Sequence, residues 1–93
     1  MHIAVLSVYL YAPWVHSLKE KRMEIKSLMA RVRNQFNVSV AEVDAQEFHQ
    51  TIGIGVAAIA ADAAKADSML DHIINFIEGN TEAEVTKILR EIR

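Results

Sequence analysis

The residues best placed to do chemistry in this chain are bases. Lys19, Lys21, Arg22, Lys26 and Arg33 follow one another at short spacings inside a segment that also holds Arg31. Between residues 18 and 36 there are six basic side chains against two acidic ones, a net of +4, so the remainder carries −6 to reach the overall −2. Cations lined up this way neutralise phosphates and release counterions, which makes binding salt-dependent. The plainer explanation is a solvated helix face, the usual fate of such charges. For Lys21 there is a third, since its position lies nearest the apolar stripe and its stem could cover the core.

Other candidate chemistry is weaker. His2, His16, His49 and His72 show neither HxH nor HExxH spacing, and there is no Cys to join them. His16 precedes a capped helix start and could meet an anion there. Glu42, Asp44 and Glu47 cluster, but an acid–base pair needs a pocket and a perturbed pKa. Gly53-Ile54-Gly55 falls inside a strand pattern, not in a strand-to-helix turn, so it does not read as a phosphate loop. With no nucleophile–base or metal spacing, neither an enzyme nor a cofactor is expected.

These side chains need a scaffold. The 93 residues, 52% hydrophobic and 24% charged, suit one domain spanning 1–93. Three Gly and one Pro leave room for only short loops. The apolar start lacks a basic region and a cleavage site, and is too short to span a bilayer as a helix. A cytoplasmic protein with no membrane contact is the expectation. The net negative charge speaks against a nucleic-acid-coating protein and against sequence-specific DNA binding.

Residues 2–11 read as a strand whose Ala4, Leu6, Val8 and Leu10 share a face. Ala12 to His16 form a loop around Pro13, with Trp14 covering one end of the core. Ser17 to Phe36 read as a helix, opened by the capping box Ser17-x-x-Glu20 and striped by Leu18, Ile25, Leu28, Met29, Val32 and Phe36. Residues 38–44 suggest a strand in which Glu42 interrupts the apolar face, pointing to a bulge or an edge. A turn through residues 44–47 follows. Residues 48–60 alternate cleanly: Phe48, Gln50, Ile52, Ile54, Val56, Ala58 and Ala60 face the core. Asp62 caps a second helix, 63–78, stopped by Gly79. For residues 81–93 periodicity slightly favours a helix over a strand. A strand there would complete the split βαβ plan, with strands one and three at the centre of the sheet.

Two segments resemble a known family: His16-Ser17-Leu18-Lys19-Glu20-Lys21-Arg22 and Arg33-Asn34-Gln35-Phe36-Asn37-Val38-Ser39-Val40-Ala41-Glu42-Val43-Asp44. They look like the YlxP-like bacterial proteins, a small domain family of unknown function. The resemblance implies an α+β, ferredoxin-like β-α-β-β-α-β sandwich, with a four-stranded antiparallel sheet and two helices on one face, and hence a strand at 81–93. Members are often encoded beside translation and ribosome-maturation factors, which implies an RNA or ribosomal setting. It implies no catalytic residues.

The expected function is a non-enzymatic binding protein that meets RNA or a ribosomal particle through Lys19, Lys21, Arg22, Lys26 and Arg33. The alternative is a homo-oligomeric regulatory or small-ligand module. It would assemble through the open sheet face at Val5, Ser7, Tyr9, Gly53, Gly55 and Ala57, whose small side chains admit a second backbone and form an apolar patch seldom left exposed.

Overall fold

The structure is a computed structural model that describes residues 1–44 and 50–93. Its elements run β1 (His2–Tyr11), α1 (Leu18–Gln35), β2 (Ser39–Glu42), β3 (Thr51–Ala60), α2 (Ala63–Gly79) and β4 (Glu84–Ile92). The expectations for Phe48, His49 and most of the 44–47 turn lie outside the described residues. All strand pairs are antiparallel, in the order β2-β3-β1-β4. The two most apolar strands are therefore central, as the composition of β1 and β3 requires.

Alternation in β1 sends Ala4, Leu6, Val8 and Leu10 under the helices, each at most 1% exposed. Ile52, Ile54, Val56, Ala58 and Ala60 of β3 join them, with Ile25, Leu28 and Val32 of α1 and Ala66, Leu70, Ile73 and Ile77 of α2. Phe36 and Phe76 meet edge to face, centroids 5.5 Å apart, where the two helices end. Both helices are capped from their own sequence. The Ser17 side chain accepts from Glu20 N–H at 3.1 Å and that of Asp62 from Lys65 N–H at 2.8 Å. The return arm of the capping box lands one residue early, on the His16 N–H, at 3.4 Å. Gly79 does not act as a left-handed stop. It is the last helical residue, and Asn80 ends the helix by donating its side-chain amide to Phe76 O.

One expectation about the core is corrected, and one that the resemblance implied is met. Trp14 is 38% exposed and lines a surface cleft; Ala12 and Val15 close that end of the core, both fully buried. The tail is a strand, against its apparent helical period. Tyr9 pairs with Lys87 but Leu10 with Val85, so β4 carries one extra residue at Thr86. Beyond that bulge the faces swap. Val85, Ile88 and Ile92 all turn inward, at spacings of three and four that imitate a helix.

The far face of the sheet carries no helix, yet one corner of it is covered by the chain itself. Val43 N–H bonds to Gly53 O at 2.8 Å, and the backbone then turns sharply at Asp44, whose φ of 49° is left-handed. Asp is among the few residues that tolerate this. The turn lays the Val43 carbonyl directly on Gly53, where any Cβ would overlap the carbonyl oxygen, and sets the Val43 side chain over Gly55. A Cβ on Gly55 would stand 3.0 Å from Val43 Cγ1, which can rotate away. Gly53→Ala is therefore expected to destabilise the fold by about 3 kcal/mol, the upper end for overpacking against rigid backbone, and Gly55→Ala by about 1 kcal/mol or less. Urea unfolding of the two variants tests that order.

Candidate binding surface on the first helix

At 100° per residue, Lys19, Arg22, Lys26 and Arg33 fall within about 60° of arc on one flank of α1. All four are exposed. Lys19, Arg22 and Lys26 make no ion pair or hydrogen bond among the described residues. Arg33 donates to Val40 O at 3.1 Å, so this flank borders β2. Glu20, Glu24 and Arg31 lie on the other flank, where Arg31 donates to Asn80 O at 2.6 Å beside the end of α2. Glu24 and Arg31 line a polar cleft of about 450 Å³ there, with Trp14, Asn80 and Glu82.

Lys21 is removed from the expected set. Its side chain points into the protein and is 2% exposed, and its ammonium stands 3.7 Å from a Glu42 carboxylate oxygen. The position falls on the same stripe as Ile25, Leu28 and Val32, so helical geometry buries it whatever its charge. Desolvating an ammonium is costly unless it is paired. Glu42 supplies the pair: it occupies the inward position of β2 after Val40, opposite Ile54. The acid that interrupts the apolar pattern is thus in register, not bulged. The edge position expected for it is observed, since β2 is an outer strand.

The sheet-face candidates divide. Gly53 is buried under Val43, and the Tyr9 hydroxyl donates to Asp44 Oδ2 at 2.6 Å, beneath Lys87, whose Nζ lies 5.9 Å from the ring centroid. That hydrogen bond, then desolvation and the Asp44 charge, raise the Tyr9 pKa above the ordinary tyrosine value. This half of the face is therefore closed by contacts within the chain, contrary to the expectation that small residues keep it open. Val5, Ser7, Gly55 and Ala57 remain accessible. With Ala41 and Val43 they line a shallow apolar concavity of about 330 Å³. Among the described residues no group of His, Asp and Glu gathers as a metal site requires. His16 and His72 are exposed, and His49 lies outside the described residues.

Against known proteins, residues 3–90 match the family model described as a protein of unknown function, DUF503. The chain belongs to this family. A relative in it is the uncharacterised protein YlxP of Bacillus subtilis strain 168. It is 37% identical over 70 residues, which cover 75% of this chain and 76% of that protein. Among solved structures, a de novo designed ferredoxin-fold protein is similar at a TM-score of 0.53 and 20% identity, over 100% of this chain and 86% of the other. A structural-genomics protein, YJCS, gives 0.52 at 14% identity over 96% of both chains. These likenesses confirm the ferredoxin-like fold and the YlxP-like family that the two quoted segments implied. Among the described residues no helix is long and apolar enough to cross a membrane.

Lys21 and Glu42 lie one in each of those two segments. The Ser17–Arg22 run and the Val38–Asp44 run are therefore joined by a structural ion pair. Glu42→Leu alone should destabilise the fold by about 2 kcal/mol, because it takes a paired carboxylate away from a buried ammonium. Lys21→Met combined with Glu42→Leu should recover most of that loss, a coupling that urea unfolding of the full double-mutant cycle measures.

Proposed function

We propose that the protein is a non-catalytic binding module that contacts RNA, free or within a ribosomal particle, through the outer flank of α1. The observation that carries this reading is the exposure of Lys19, Arg22 and Lys26 on one flank, with no acidic partner among the described residues. Among the described residues nothing consumes these charges: the core is built from the opposite side of the helix, and the caps use Ser17 and Glu20. Continued by Arg33, the row extends about 21 Å along the axis, at 1.5 Å per residue. A row of that length can follow several phosphates. The translation setting implied by the resemblance points the same way. Lys21, bound to Glu42, takes no part.

The test is binding of purified bacterial ribosomal subunits and of total RNA across a salt series. Lys19→Glu, Arg22→Glu and Lys26→Glu together should weaken binding at least tenfold and flatten the log–log salt slope by about 2, while the circular dichroism stays unchanged. Unaltered binding by the triple variant would sink the proposal.

A second reading, a homo-oligomeric regulatory or small-ligand module, is favoured by the concavity between β1, β2 and β3. Exposed Ile59 and Ile3 extend its apolar surface, at 69% and 38%. Under this reading Ile59→Lys should abolish association in sedimentation equilibrium and leave RNA binding untouched.

A further inference from the structure

The two edges of the sheet are treated differently. β2 is four residues long, and Arg33 donates to its Val40 carbonyl. β4 is nine residues long. Ile3 and Arg93 exchange both backbone bonds, at 2.7 and 2.8 Å. The antiparallel alternation then turns the backbone groups of Lys87, Leu89 and Glu91 toward β1, and those of Ile88, Arg90 and Ile92 outward. Among the described residues nothing occupies these outward groups. The bulge lies at Thr86, so the stretch from Lys87 to Arg93 is regular and contains no proline. An edge of this kind is a template for another strand.

The side chains specify which strand. Lys87, Leu89 and Glu91 share the uncovered face of the sheet, and Leu89 is 49% exposed. Let a second β4 pair antiparallel about a two-fold axis through Leu89. Leu89 then packs against its own copy, and each Lys87 faces a Glu91. Ile88 and Arg90, whose backbone groups point outward, become the hydrogen-bonded partners of this ladder. Other registers lose the match. Centring on Arg90 opposes Arg90 to itself and Lys87 to Arg93. Centring on Glu91 or on Lys87 opposes a charge to its own copy, and centring on Ile88 sets Lys87 against Leu89. Among the described residues Glu91 pairs with Arg93 alone, at 3.2 Å and exposed on both sides, so it can take a second cation. Arg90 is already held on the helix side by Asp67 and Asp71, both at 2.7 Å, and does not obstruct the edge.

We propose that this edge binds a second copy of the chain, joining two four-stranded sheets into one through β4 with Leu89 on the two-fold axis. The interface is distinct from the concave sheet face and independent of the RNA reading. A single strand pair lies at the small end of protein interfaces, so the affinity should be micromolar.

Sedimentation equilibrium of the full chain from about 1 to 500 µM tests this. Wild type should dimerise, and Lys87→Glu or Glu91→Lys alone should raise the Kd about tenfold or more by setting like charges opposite each other twice. The double variant Lys87→Glu/Glu91→Lys should recover wild-type association, as should an equimolar mixture of the two single variants. Amide exchange of Ile88, Arg90 and Ile92 should slow with protein concentration. A monomer throughout the range, a dimer insensitive to these swaps, or a dimer whose Ile88, Arg90 and Ile92 amides stay unprotected would each overturn the proposal. The last outcome would transfer the association to the concave face.

Discussion

A lysine that lies almost wholly inside the protein fixes how the first helix and the second strand sit. Its ammonium has been taken out of water, and pairing, to Glu42 among others, is what makes that tolerable. The pair constrains both partners. It agrees with the rotation of α1 that the apolar stripe sets, the one orientation that brings residue 21 to the strand while Ile25, Leu28 and Val32 reach the core. It also holds a strand too short to be secured by its own four-residue ladder. The solvent-facing row of bases follows from the same rotation: with one lysine turned in, its neighbours two before, one after and five after are turned to the side and out.

The last residue of β2 and the residue after it then do opposite things. Glu42 reaches toward the helices, and Val43 folds across the uncovered face onto two glycines. One short strand thereby ties the helix layer to the far side of the sheet, and Tyr9 with Asp44 fastens the fold-over at its tip. The uncovered face is left with a closed half and an accessible half. The accessible half is bounded by the Val43 fold-over, so the face does not offer one continuous flat platform.

Much of this was legible in the residues. Strict alternation in β1 and β3, the Ser17 and Asp62 caps, and the apolar stripe of α2 each specify a local structure that tertiary packing did not overrule. The failures have identifiable causes. Glu42 allowed a bulge as well as the observed edge because its partner lies 21 residues earlier in the chain, on another element. Lys21 was counted with the exposed bases because charge is a poor guide to burial when a partner is out of sight; its place on the apolar stripe was the available signal. The last strand was obscured by a single extra residue, which gave Val85, Ile88 and Ile92 a helical spacing. Gly53 and Gly55 read as vacant space, whereas Val43 from the same chain fills it over Gly53 and narrows it over Gly55.

The pairing of Ile3 with Arg93 also bears on how the chain reaches this state. Closing a loop of nearly the full chain length carries one of the larger entropic penalties available to it. Arg90 makes contacts of a shorter range, because its carboxylate partners on α2 are only 19 and 23 residues away. The last strand is therefore tied at both scales, to the helix just before it by side chains and to the first strand of the chain by backbone.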